Sequence, residues 1–255
     1  MAETDFPGAA RSLLRLVSGF SVPKHSGSPN EDRWAHSDDG TVCAVSDGAS
    51  VSFDPGPWAE LLVRRFIADA QVDRAWLSAA AAEFEGRHDR ESLSWSRQAA
   101  FDRGSFATLL GVRPSADGTK AYVLGVGDSL AVLLDGTAVA ATFPYQQPEE
   151  FDRSPLLLAS APIQNRAFTD EALELSVQPY MVAEVGCPRL LLMTDALGRW
   201  FVERRDRDAA AVLLGLSTAD DFAGFVERER AAGHMRRDDT TLVTMGLGDE
   251  LPADH

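Results

Sequence analysis

Four strand-like runs, Phe106–Val112, Ala121–Gly125, Ala131–Leu134 and Ala138–Thr142, follow one another across short gaps that contain Asp117-Gly118, Gly127-Asp128 and Asp135-Gly136. A right-handed crossover between parallel strands needs a dozen or more residues, so gaps of this length and composition dictate antiparallel hairpins. Further strands are expected at Arg11–Ser21, Arg33–His36, Thr41–Ser46, Leu173–Val177, Tyr180–Val185, Arg189–Thr194 and Thr240–Met245. Between Pro57 and about Ala100 the apolar period turns helical, with Trp58, Leu61, Leu62 and Phe66, then Trp76, Leu77, Ala80 and Phe84. Helices are also expected over Gly198–Leu216 and Asp220–Ala232, the latter behind the capping pattern Thr218-x-x-Asp221. Blocks of antiparallel strands alternating with blocks of helices predict an α+β layered sandwich.

The chain has 255 residues and no shift of composition along it, which favours one large domain. We read residues 1–10 as an N-terminal tail, 11–246 as the domain and 247–255 as a C-terminal tail. Within the domain, the proline-bearing stretch 143–165 reads as a surface loop or flap. The formal charge of −15, from 24 Lys and Arg against 39 Asp and Glu, would repel a phosphate backbone, so nucleic acid is not an expected partner. No run approaches the 18 or so apolar residues a membrane helix needs, and Met1–Ala10 carries two acids and no apolar core. No membrane partner is expected. The two cysteines, Cys43 and Cys187, suit buried thiols in a reducing compartment, and the protein is expected to be cytoplasmic.

Four Asp-Gly dipeptides occur, and three of them, at Asp39, Asp117 and Asp135, lie between strand-like runs and are explained as tight turns. Asp47-Gly48 differs. It ends an apolar strand and leads into a loop and a helix, so its carboxylate projects from a rigid strand end, where ligand-binding groups commonly sit. Three more acidic groups resemble it in placement: Asn30-Glu31-Asp32 before the strand at Arg33, Asp195 after Leu190-Leu191-Leu192-Met193-Thr194, and Asp238-Asp239 before the last strand. Singly, each has a plain structural explanation, a solvated turn, a helix N-cap or a charged turn. Together, strand ends can bring them to one edge, where unneutralised carboxylates repel and raise one another's pKa unless a cation intervenes. An all-oxygen donor set without a Cys or His pair selects hard ions such as Mg²⁺ or Mn²⁺ over zinc.

The ordered set Asn30-Glu31-Asp32, Val45-Ser46-Asp47-Gly48, Ser105-Phe106-Ala107-Thr108, Gly127-Asp128-Ser129, Leu191-Leu192-Met193-Thr194-Asp195 and Asp238-Asp239-Thr240-Thr241-Leu242-Val243 resembles the motifs of the metal-dependent Ser/Thr protein phosphatases (PPM type, protein phosphatase 2C), in its bacterial single-domain form. The match runs over about residues 12–246. The resemblance implies two antiparallel sheets flanked by helix pairs, a four-layer αββα sandwich, with two Mn²⁺ or Mg²⁺ ions at one end. Carried over by motif, Asp47 would bridge the ions, Gly48 would offer its carbonyl, Asp195 and Asp238 would bind one ion, and Asp32 with Glu31 would act at the other. Asp128 matches the position that helps hold a third, weaker ion in some members, with a hairpin turn as its rival reading. Asp47, Asp195 and Asp238 would thus carry catalysis: water held between two cations is deprotonated near neutral pH and attacks phosphorus in line. The implied activity is hydrolysis of phosphoserine and phosphothreonine in proteins, with a phosphoprotein partner, a Ser/Thr kinase or its targets.

The chain also departs from the family. Gly27 stands four residues before Glu31, where many members carry a phosphate-gripping Arg, leaving Lys24 and His25 as nearby cationic candidates. Lys lacks the bidentate fork of Arg. Ala49-Ser50 follows Asp47-Gly48 where relatives often have Met-Gly-Gly or a His proposed as general acid, and Ala196 follows Asp195 in place of the usual Gly. These departures motivate a second reading, a catalytically impaired phosphatase-like module acting as a regulatory binding protein. Arg204, Arg205, Arg236 and Arg237 read as solvated or paired with neighbouring acids.

Overall fold

The computed structural model describes residues 13–248; the tail residues 1–10 and 249–255 lie outside them. Twelve strands are present among the described residues: β1 Leu14–Val22, β2 Arg33–His36, β3 Cys43–Ser46, β4 Phe106–Ala107, β5 Leu109–Pro114, β6 Ala121–Val126, β7 Leu130–Asp135, β8 Ala138–Phe143, β9 Leu158–Ala159, β10 Val177–Tyr180, β11 Pro188–Met193 and β12 Thr240–Leu247. They form one sheet in the order β1-β12-β11-β7-β8, a second in the order β10-β6-β5-β3-β2, and a small pair β4-β9. Every ladder is antiparallel.

Side-chain alternation builds the layers. On β7 and β11, Ala131, Leu133, Leu190 and Leu192 face the other sheet and meet Cys43, Val45, Leu110, Val112 and Val123. Their neighbours Val132, Leu134, Leu191 and Met193 face outward, under helices. Strands buried on both faces have to read as unbroken apolar runs, which is why Leu190–Met193 shows no polar alternation. The outer cover of the first sheet is α5 Asp195–Arg204, α6 Ala209–Leu214 and α7 Ala219–Ala231, through Leu197, Trp200, Phe201, Phe222 and Phe225. The second sheet is covered by α1 Pro55–Ala68 and α2 Arg74–Gly86, through Trp58, Leu62, Phe66, Leu77 and Phe84. The result is the αββα arrangement. Fully burying one such aromatic or Leu side chain contributes about 1.5–3 kcal/mol, and Leu134, Leu191, Phe201 and Phe222 are among those buried completely.

Several local expectations are corrected. Leu173–Val177 is not a strand: α4 spans Asp170–Leu175, capped by Thr169, whose hydroxyl accepts from the Ala172 amide at 3.1 Å, with Asp170 and Glu171 in the first turn. Tyr180 ends β10 instead of opening a strand, and Val182–Glu184 is a 3-10 turn. The helix expected over Gly198–Leu216 is two helices, parted at Asp208, which sits at φ 59°. The run through Ala100 contains a break and a separate α3, Trp95–Arg103, which buries none of its residues. The loop 143–165 holds 3-10 turns at Pro148–Asp152 and Pro162–Asn165 and the strand β9. β12 runs on to Leu247, one residue past the expected domain end. Cys187 is exposed, and only Cys43 is buried. Among the described residues no helix is long and apolar enough to cross a membrane.

Candidate active site

The ladders place the acids before any side chain is considered. In the first sheet Val22 at the end of β1 pairs with Thr240 at the start of β12, and Met193 at the end of β11 pairs with Leu242 on β12 and with Leu130 at the start of β7. In the second, Arg33 at the start of β2 pairs with Ser46 at the end of β3, and Leu109 on β5 pairs with Val126 at the end of β6. The short link Gly127–Ser129 joins β6 to β7, so these two rows of strand ends belong to the same end of the sandwich. Asp32, Asp47, Asp128, Asp195 and Asp238 each lie within two residues of one of those ends.

A cleft of about 380 Å³ opens there, walled by Asp47, Gly48, Asp128, Asp195 and Asp238. Asp47 is set by a lock on Thr108, the residue between β4 and β5: its amide donates to Thr108 Oγ1 at 2.9 Å, the Thr108 amide donates to the Asp47 carbonyl at 2.9 Å, and Ser46 Oγ donates to the Thr108 carbonyl at 2.5 Å. Ser129 Oγ lies 2.9 Å from the same Thr108 hydroxyl, which ties the Asp128 turn to the Asp47 strand end. Gly48 admits no side chain, since a Cβ there would stand 2.8 Å from the Pro55 carbonyl and 3.0 Å from the Glu31 carbonyl oxygen.

Asp32 lies beneath, 3% exposed, with Oδ2 accepting from Thr194 Oγ1 at 2.9 Å and Thr241 Oγ1 at 2.7 Å. Its Oδ1 is buried and has no hydrogen-bond partner. Burial, with the charges of Asp239 and Asp238, pushes its carboxyl up to about 7 despite the two hydroxyls. Asp47 is pushed well above the usual carboxylate range by burial, then by Asp32 and Asp128. Asp128 is raised as well, by burial. Asp195 is the first residue of α5, so Thr194 and not Asp195 is the N-cap residue. Its carboxylate benefits from the helix dipole, yet Oδ1 is buried and unpartnered while Oδ2 accepts from Arg236.

Glu31 and the cationic candidates Lys24 and His25 stand apart from the cleft wall. Glu31 accepts from Lys24 Nζ at 3.2 Å and from the Ser50 hydroxyl, and Lys24 Nζ also donates to Ser50 Oγ at 2.6 Å. Lys24 is thereby turned toward Glu31, and neither residue lines the cleft. His25 is exposed, in a turn closed by Ser28. Gly27 occupies the left-handed region at φ 81° in the same turn. Asp239, expected only as part of a charged turn, is 3% exposed and accepts the backbone amides of Lys24 and Glu31 at 2.6 Å each. It clamps the acidic loop to the start of β12.

Arg153 and Arg236 are the cationic residues of the cleft wall, and sequence patterning assigned neither to it. Arg236 pairs with its neighbour Asp238 at 3.4 Å, as expected of it, and also with Asp195, 41 positions away. Contacts of that span leave no local signal. Arg230, 8% exposed, fixes the backbone behind them by donating to the carbonyls of Pro23 and Asp238 and to Thr240 Oγ1.

The donor chemistry suits hard divalent cations: clustered carboxylates, two buried carboxylate oxygens without partners, and raised proton affinities that a cation would reverse. Among the described residues no three acidic, His or Cys side chains are drawn together as a ready cage. Asp32 accepts from its two threonines and Asp195 from Arg236.

No family model matches the chain, and no curated protein does. Solved structures do. The catalytic domain of the serine threonine protein phosphatase PstP, in complex with two manganese ions, aligns over 92% of this chain and 98% of that one at 18% identity and a TM-score of 0.60. Serine/threonine phosphatase Stp1 from Staphylococcus aureus aligns over 95% of this chain and 99% of that one at 12% identity and TM-score 0.58. PppA, a regulatory component of T6SS in Pseudomonas aeruginosa, aligns over 92% and 98% at 18% identity and TM-score 0.54. The chain has the fold of the PPM-type Ser/Thr phosphatases.

Proposed function

We propose that the protein is a metal-dependent phosphatase that hydrolyses phosphoserine and phosphothreonine in proteins, opposing a Ser/Thr kinase. The observation that carries this reading is the convergence of Asp47, Asp128, Asp195 and Asp238 on one cleft, above the buried Asp32, at the end where both sheets terminate. Asp47 would stand between two Mn²⁺ or Mg²⁺ ions, with the Gly48 carbonyl beside it, Asp195 and Asp238 at one ion, Asp32 and Glu31 serving the other, and Asp128 helping a third, weaker one. When bound, such ions supply an activated oxygen nucleophile near neutral pH and neutralise charge on the phosphoryl oxygens. PstP, with the same fold, binds two manganese ions.

The chain's own residues do the rest. Thr194 and Thr241 hold one oxygen of Asp32 and leave the other free. Thr108 fixes the backbone on which Asp47 is carried. Arg153 and Arg236 offer guanidinium groups to a phosphate dianion, a task that Gly27 cannot perform and that Lys24, tied to Glu31, does not reach. Val51, Pro155 and Leu157 give the cleft an apolar rim against which the peptide flanking a phosphoresidue can lie. A phosphoprotein in the cytoplasm is the proposed substrate.

The test is phosphate release from p-nitrophenyl phosphate and from a phosphothreonine peptide, with Mn²⁺ and with chelator. Turnover that appears with Mn²⁺ and vanishes with chelator supports the reading. Binding of Mn²⁺ and phosphopeptide without turnover would instead support the impaired binding module that Gly27 and Ala49 suggest.

A further inference from the structure

Three arginines lie near Asp238, and of them only Arg236 pairs with the cleft carboxylates Asp195 and Asp238. Arg230 is buried and anchored on the carbonyls of Pro23 and Asp238 and on Glu227 Oε1 at 3.0 Å. Arg237 points to Glu227 and to the Lys24 carbonyl. Arg236 places Nη2 against Asp195 Oδ2 and 3.4 Å from Asp238 Oδ2. Its side chain is 50% exposed, against 8% for Asp195, so it enters the acid pair from solvent and can leave without opening a void.

The charge count explains why it sits there. Two carboxylates at one strand-end corner repel in the absence of a counter-ion, and a guanidinium supplies one positive charge and two or more donors. A divalent cation supplies two charges and neutralises the pair completely. Arg236 lies against Asp195 Oδ2 and Asp238 Oδ2, and a cation held between these two carboxylates needs the space that guanidinium fills.

We propose that Arg236 is a displaceable counter-ion: it holds Asp195 and Asp238 in the metal-free protein, and a divalent cation takes its place only by expelling it. The inference rests on the dimetal reading of this cleft and adds to it how loading is controlled. Apparent metal affinity is reduced by the fraction of molecules in which Arg236 occupies the pair. Expulsion leaves the guanidinium at the cleft wall, where the substrate phosphate arrives.

The experiment compares the full chain with Arg236→Gln and Arg236→Lys, each stripped with chelator and dialysed, by calorimetric titration with MnCl₂ and by thermal unfolding. Arg236→Gln is expected to bind Mn²⁺ about tenfold more tightly than the parent, equivalent to about 1.4 kcal/mol. Arg236→Lys, with the charge but without the fork, is expected between the two. Stripped Arg236→Gln is expected to melt below the stripped parent, and the difference is expected to close at saturating Mn²⁺. Equal or weaker Mn²⁺ binding by Arg236→Gln, beside clear binding by the parent, would overturn the inference and leave the dimetal reading standing. Absence of Mn²⁺ binding in all three proteins would overturn both.

Discussion

Thr241 donates its hydroxyl to Asp32 Oδ2 at 2.7 Å, a hydrogen bond that joins residues 209 positions apart and fastens the first acidic motif to the last strand. Thr194 donates to the same oxygen from the end of β11, so three motifs that are remote in sequence meet on one atom. The bonds serve a carboxylate that burial disfavours, and their value depends on whether Asp32 is charged. Thr241→Val is predicted to destabilise the metal-free protein by about 1–3 kcal/mol at pH 8, the range for a buried group left without its donor. Urea denaturation at pH 8 and pH 5 checks this, with the smaller loss expected at pH 5.

The pH dependence of the stripped protein follows from the same acids. Asp32 is raised to about 7 and Asp47 well above its ordinary value of 3.8, so the folded chain keeps protons that the unfolded chain releases near pH 4. Stability from this source is complete below about pH 4 and is lost as pH rises through 7. Asp39 and Asp117, lowered to about 2 by neighbouring hydroxyls and amides, have the opposite sign and stay ionised throughout pH 5–8. Stripped protein is therefore predicted to melt at a higher temperature at pH 5 than at pH 8. Asp47→Asn is predicted to flatten that slope, to stabilise the stripped form at pH 8, and to abolish Mn²⁺-dependent turnover.

Asp239 is predicted to matter for the fold of the site without being a ligand. Its carboxylate receives two backbone amides at 2.6 Å, from Lys24 and Glu31. Asp239→Ala removes two charge-assisted bonds and is expected to cost about 2–4 kcal/mol. Denaturant unfolding measures the loss, and limited proteolysis is expected to cut first in the freed 24–31 segment.

Gly48 tests the close approach of backbone at the cleft. With the Pro55 carbonyl 2.8 Å from the position of an added Cβ, Gly48→Ala is expected to cost about 1–3 kcal/mol. Because the clash would move the backbone next to Asp47, Mn²⁺ affinity by calorimetry is expected to fall as well.

The β5–β6 and β7–β8 hairpins and the unbroken apolar β11 were legible because Asp-Gly gaps and two-sided burial leave direct marks in the sequence. The hairpin expected at Gly127-Asp128 is corrected: β6 and β7 do not pair, the link carries the chain from one sheet to the other, and Phe106–Ala107 pairs apart with β9. Asp47, Asp195 and Asp238 were legible as acids abutting such strands, although their roles came through family resemblance. The misread stretch 173–177 shows the limit: its short apolar content fits either period, and the Thr169 cap with Asp170 and Glu171 was the signal that decides for helix. Likewise Asp208 parts two helices by adopting a left-handed conformation that composition does not announce. Arg236, Thr194 and Asp239 were not legible as site residues because their partners lie 41, 162 and 208 or more positions away.

The most direct test of the account is anomalous scattering at the manganese edge from crystals grown with MnCl₂. The account predicts two strong peaks in the cleft, one ligated by Asp47, Asp195 and Asp238 and one by Asp47 and the Gly48 carbonyl, with Arg236 withdrawn from Asp195. Crystals of the folded protein at saturating Mn²⁺ with no peak in this cleft, or with manganese only on surface carboxylates elsewhere, would contradict it.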